Sequence, residues 1–310
     1  LAATQGGEMA RIEILHTTEY AYRNPVGLTR HRMMLRPRDS HDLRLHDARL
    51  EVDPAPSVER WAHDVFGNSV CLLEWPEELR TERLRIVSHL DLTHFPACPD
   101  LPVPTLDPAA ERFPFSYAAH EVPDLGRLTE RHLPDPDRIV DAWARRFVQG
   151  GEVHTLGLLE RMTHAIKAEF GYQARYEEGT RTPVETLRQG SGTCRDFAVL
   201  MMEAVRSLGL AAKFVTGYLY DHEFGAVRGG GSTHAWCSVY LPGAGWVEYD
   251  PTNGLIAGAN LVRVGMTRAA EQAVPIGGGY IGKADDTLGL HVDVTVTAAR
   301  IERDAKPFAD

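Results

Sequence analysis

Apolar and polar residues alternate through the first third of the chain. Ile12, Ile14, His16, Thr18, Tyr20 and Tyr22 share one parity, as do Leu84, Ile86, Ser88, Leu90 and Leu92, the period of half-buried strands. Ser69 to Trp75 is a shorter β-prone run behind the turn-like Phe66-Gly67-Asn68. The pattern predicts a β-rich, sandwich-like region over residues 9–110. Pro96, Pro99, Pro102, Pro104, Pro108, Pro114, Pro123, Pro134 and Pro136 then follow, a density that suits neither helix interior nor central strand, and a linker is placed at 111–136. Past it the period changes. Ile139, Val140, Trp143, Ala144 and Phe147 form one helical stripe, and Leu158, Leu159, Met162, Ile166 and Phe170 form another. A third stripe, Phe197 to Leu208, starts behind the capping run Ser191-Gly192-Thr193 and stops at Gly209. Strand-like segments come after it at 212–220, 234–241 and 246–250, with a last alternating run through Val292, Val294 and Val296. Helices first and strands afterwards predict an α+β core over 137–303 rather than a wound parallel sheet.

Composition narrows the field. Hydrophobic and charged contents of 43% and 25% are those of a soluble globular chain, and no apolar run approaches the ~18 residues of a membrane span. The net charge of −10 disfavours a nucleic-acid footprint, which wants clustered Lys and Arg. The basic group Arg30, His31, Arg32, Arg36 and Arg38 reads as a solvated face. Residues 1–8 lie outside the strand pattern, and the first 20 residues lack a basic segment followed by an apolar one, so a cytoplasmic location is expected. Cys71, Cys98, Cys194 and Cys237 are widely separated without a CxxC pair, which speaks against zinc and against a disulfide framework. No cofactor is implied. The oligomeric state is open.

The candidate chemistry centres on Cys194. A thiol becomes a nucleophile as thiolate, and the first turn of a helix favours that anion through unpaired N–H groups and the helix dipole. His234 opens the segment HAWCSVY, on one face with Trp236, Ser238 and Tyr240, while Cys237 points the other way. Asp250 ends the following strand, after the turn Pro242-Gly243-Ala244-Gly245. A three-residue loop at 242–244 sets Trp236 opposite Asp250 and makes Asp250 the diagonal neighbour of His234, ~7–8 Å away along the backbone. A slip of one residue would turn Asp250 away. With Asp250 on one imidazole nitrogen, the other is free to take a thiol proton. Asp196 reads as favourable charge at the helix start, and Gly229-Gly230-Gly231 as a linker or flap rather than a phosphate cradle.

The stretch GSGTCRDFAVLMMEAVRSLGLAAKFVTGYLY, followed by HAWCSVYLPGAGWVEYDPTNG, resembles the core motifs of the transglutaminase-like superfamily, and the β-rich first part resembles the N-terminal region of its bacterial members. The resemblance implies a papain-like core with a Cys194, His234, Asp250 triad acting on peptide or protein amides. The large cross-linking transglutaminases carry a tryptophan upstream of the cysteine as an oxyanion donor, whereas no Trp lies between Trp143 and Trp236 here. The Cys194 N–H is one available donor; Tyr172 and Gln189 are side-chain candidates for the second, and Trp236 is a candidate wall of the site. Peptide or isopeptide hydrolysis is the first expectation. Acyl transfer to an amine and a non-catalytic peptide-binding scaffold are the alternatives.

Overall fold

The computed structural model describes residues 9–95, 104–175, 179–220, 233–256 and 260–301. Six strands open the chain: β1 (Ala10–Leu28), β2 (His31–Met33), β3 (Leu43–Asp53), β4 (Val58–His63), β5 (Ser69–Glu74) and β6 (Thr81–His94). β1 and β6 pair antiparallel from Ala10↔His94 to Ala21↔Arg83, and β3 extends the sheet beyond β6. In β1 the alternation works as expected: Ile12, Ile14, His16 and Thr18 are buried, while Glu13 and Leu15 face out. A second sheet holds β2, β5 and β4. Its Met33, Cys71 and Leu73 pack in one cluster with Leu84 and Ile86 of β6, so two antiparallel sheets share a core.

The proline-rich stretch is fastened to the helical half of the molecule. Strand β7 (Arg112–Phe113) pairs with β8 (Val153–His154), and Leu106 and Phe113 sink into the helical core. After the short helix α1 (Glu121–Leu125), the backbone N–H groups of His132 and Leu133 both donate to the buried Glu203 carboxylate at 3.0 Å. Prolines mark where regular structure breaks. They do not stop irregular chain from packing.

Helices α2 (Ile139–Arg145) and α3 (Thr155–Glu169) bury the two predicted stripes, including Val140, Leu158, Met162 and Ile166. Strand β9 (Gly171–Tyr172) runs parallel to β10 (Ser191–Gly192), with α4 (Pro183–Gln189) between them, and α5 (Cys194–Ser207) begins two residues later. The core sheet has the order β14-β13-β12-β11-β15, made from β11 (Ala212–Leu219), β12 (His234–Leu241), β13 (Gly245–Asp250), β14 (Leu255–Ile256) and β15 (Leu261–Thr267). One side packs on the helices through Phe214, Cys237 and Val239. On the other, Tyr218, Tyr220, Val262 and Val264 meet Ile12, Ile14, Leu90 and Leu92 of the first sheet. Polar contacts cross this seam: His16 Nδ1 and the Tyr218 hydroxyl are hydrogen-bonded at 3.0 Å, and Asn68 Nδ2 donates to the Met266 carbonyl at 2.9 Å.

Two short strands, β16 (Ile276–Gly277) and β17 (Tyr280–Ile281), precede β18 (Thr287–Arg300). β18 pairs antiparallel with β1 from Tyr22↔Thr287 to Ala10↔Arg300. The run through Val292, Val294 and Val296, which the sequence pattern grouped with the core, therefore completes the first sheet instead. Alternation identifies a strand but carries no information about its partner.

Candidate active site

The start of α5 is built by reciprocal capping. Asp196 N–H donates to Thr193 Oγ1 at 3.3 Å, and Thr193 N–H donates back to Asp196 Oδ2 at 2.9 Å, which sets Cys194 as the first helical residue. Asp196 is wholly buried and also accepts from Arg181 N–H at 2.7 Å and Arg175 Nη2 at 3.1 Å. It ties Arg175 and Arg181 of the preceding loop to the helix start, a larger part than the dipole charge read from the sequence. The N–H groups of Cys194 and Arg195 have no carbonyl four residues back within the helix to bond. Cys194 itself is 7% exposed.

The observed β12–β13 register is Leu241↔Gly245 through Cys237↔Tyr249, so its next pair sets Trp236 against Asp250. This is the register expected from a loop at 242–244. Gly243 (φ 87°) sits so close to the Pro-rich segment that a Cβ would lie 2.4 Å from Asp107 N, which fixes the turn. On the shared face His234 Nε2–H donates to Asp250 Oδ2 at 2.8 Å, with both side chains fully buried. Asp250 Oδ1 accepts from Thr252 N–H at 2.9 Å, and Oδ2 also accepts from Asn253 Nδ2 at 2.9 Å. Burial works against the carboxylate, but the imidazolium and these donors outweigh it and hold Asp250 below its ordinary range.

With Nε2 engaged, Nδ1 remains, buried and without a nitrogen or oxygen partner among the described residues. Burial pulls the His234 proton affinity down. The charge and hydrogen bond of Asp250 oppose it, followed by the influence of the nearby Cys194, and the ring is pushed up to about 10. The third group acting on the imidazole is therefore the thiol at the start of α5.

The other candidates part company. Tyr172 is near enough to feel the thiol: burial first, then the Cys194 charge, pushes its phenol up to about 12. Gln189 is exposed at the end of α4, and none of the described contacts ties it to the trio. Trp236 is fully buried in a cluster with Val215, Leu219 and Leu261, and its ring stacks beside His234 at 5.9 Å between centroids. It backs the histidine from inside rather than lining an open cleft. Gly217 makes room for it, since a Cβ there would lie 2.8 Å from Trp236 Cη2 and 2.0 Å from the Val262 carbonyl oxygen. Cys71 and Cys237 are buried, burial pushing both thiols up to about 12, which leaves them inert. Cys98 and Gly229 to Gly231 lie outside the described residues. Asn253, the second side-chain donor to Asp250, stands in the run Asp250-Pro251-Thr252-Asn253, whose composition signals no more than a turn.

Residues 12–92 match the bacterial transglutaminase-like N-terminal region, and residues 141–251 match the transglutaminase-like superfamily. An uncharacterized protein of Mycobacterium tuberculosis is 30% identical over 309 residues, covering 95% of this chain and 94% of its own. The chain belongs to the transglutaminase-like superfamily. An uncharacterized Mycobacterium leprae protein is 25% identical over 295 residues, spanning 93% of this chain and 99% of its own. Among solved structures, a proposed cysteine protease from Cytophaga hutchinsonii shares the fold with a TM-score of 0.63 at 17% identity, across 97% of this chain and 94% of that one. The α+β core preceded by a β-rich region is thus the fold of this superfamily.

Proposed function

We propose that the protein is a thiol hydrolase of peptide or isopeptide bonds, with Cys194 as nucleophile, His234 as base and Asp250 as the group that orients and charges the base. The observation that carries this reading is the 2.8 Å bond from His234 Nε2 to the buried Asp250, which leaves Nδ1 for the thiol at the start of α5. Cys194 Sγ attacks the amide carbon as the thiolate, its proton already held on His234 Nδ1. The carbonyl oxygen becomes an oxyanion within reach of the helix-start N–H of Cys194, and the Tyr172 hydroxyl supplies the second donor. Collapse of the intermediate breaks the C–N bond, and the imidazolium returns its proton to the leaving amine. The thioester is then attacked by water, whose proton goes to His234; the thiolate departs from the carboxylic acid formed and stands again beside the imidazolium.

Water is the acceptor in this reading because no feature of the site among the described residues marks a place for an amine. The test profiles a peptide and amide library in the presence of excess primary amine, with Cys194→Ala as the blank. Released acid is expected. A product carrying the amine, with little acid, would reassign the protein to acyl transfer, and no turnover above the blank from any amide would favour a binding scaffold.

A further inference from the structure

Behind the triad lies a buried ionic group that the reaction does not use. Arg263 projects from β15, in the same cross-strand row as Gly217 and His234. Its Nη1 donates to Glu248 Oε1 on β13 at 3.0 Å, so the pair spans the two strands between them, β11 and β12. Its Nη2 donates to both oxygens of Asp42, at 2.7 and 2.6 Å. Asp42 sits in the turn before β3, 221 residues away in the N-terminal region. All three side chains are withdrawn from solvent, with 26%, 6% and 16% of their surface exposed for Arg263, Glu248 and Asp42.

Trp236 stands on β12, one of the two strands the pair spans. The indole sits over Gly217, whose register partner on β15 is Arg263, and its ring stacks on His234. Trp236 Nε1 makes no full hydrogen bond among the described residues, yet lies near enough to the Glu248 carboxylate to favour its charge, against the burial that pushes this carboxyl upward. Glu248 and Asp250 point the same way from one strand, two residues apart. Burying charges is costly unless each is satisfied, and the best-attested use of such groups is to fix one arrangement of the chain.

We propose that Arg263 is a positioning residue which, gripped by Asp42 and Glu248, closes a brace over Trp236 that holds His234 against Asp250, so that the N-terminal region sets the geometry of the base. This deepens the thiol-hydrolase reading and rests on it for the name of base. The N-terminal region thereby becomes part of the catalytic apparatus without touching substrate.

The test uses the full chain with ¹⁵N-histidine labelling and compares wild type, Asp42→Asn and Asp42→Glu. Solvent exchange of the His234 Nε2–H proton is read by NMR, alongside Cys194 alkylation by iodoacetamide and thermal melting. In Asp42→Asn the exchange is expected to be about tenfold faster, and alkylation slower by a similar factor, at a melting temperature close to that of wild type. Asp42→Glu should recover part of both. Wild-type exchange and alkylation in a folded Asp42→Asn protein would overturn the brace. Should that variant not fold, Glu248→Gln is read in the same way, and wild-type behaviour there overturns it equally. If wild-type Cys194 reacts no faster than a free thiol, the hydrolase reading falls, while proton exchange still decides the brace on its own.

Discussion

Asp250→Asn removes one charge from the site and leaves its shape. In the native site burial disfavours the imidazolium, and the opposing influence of Asp250, with Cys194 behind it, lifts His234 from 6.5 to about 10. That lift corresponds to about 5 kcal/mol in favour of the protonated ring. With half of it felt in how firmly the imidazolium holds the Cys194 thiolate, removing the charge costs about 2–3 kcal/mol, on the order of a hundredfold in rate. The amide cannot escape by flipping. Oδ1 faces Thr252 N–H, and Oδ2 faces His234 Nε2 and Asn253 Nδ2, so an Asn NH₂ group opposes a donor either way round. The assay is alkylation of Cys194 by iodoacetamide between pH 5 and 9, followed by peptide mapping, with circular dichroism to establish folding. The expected outcome is a rate near pH 6 on the order of a hundredfold below wild type. A folded Asp250→Asn protein alkylated within about twofold of wild type throughout would refute the assignment of Asp250 as the group that charges the base.

The same geometry predicts three further outcomes. His234 titrates higher in the folded chain than in the unfolded one, so its stabilising contribution is full below about 6.5 and is lost as pH rises toward about 10; melting curves of wild type and His234→Gln should therefore converge across that interval, and a constant difference would contradict it. Gly217→Ala should cost about 2–3 kcal/mol, because its methyl must displace Trp236 or the backbone at Val262; urea denaturation measures this, and a wild-type midpoint would count against the close packing. Glu203→Ala leaves Arg206 buried beside a vacated carboxylate and strips the acceptor from His132 and Leu133, for a loss of about 3–5 kcal/mol by chemical denaturation.

Local patterns announce local features. The capping run before Cys194 and the four-residue turn at 242–245 are short-range chemistry, and they are enough to place the thiol at a helix start and to put His234 and Asp250 on one face. Parity places Trp236 beside His234, but its burial comes from Val215 and Leu261 on other strands, which parity does not see. Asp196 shows the same limit: its capping role is local, whereas Arg175 and Arg181 reach it from a preceding loop. The pairing of Arg263 with Asp42 and the docking of β18 on β1 join residues far apart in the chain. Each of these depends on the finished packing, and no window of sequence contains both partners.

The pairing of β18 with β1 also bears on how the protein is made. Every residue of the thiol core lies between these two strands in the sequence, and Ile301 N–H donates to the Met9 carbonyl at 2.9 Å where they meet. During synthesis β1 waits with one edge open until nearly 300 residues have emerged, so the region is not a module that can finish folding first. Cutting the chain between the two regions would release a 19-residue strand with an unfilled edge, prone to pair with other molecules. A circular permutant joined near residues 9 and 301 and opened at an exposed loop would instead let both long strands be translated together.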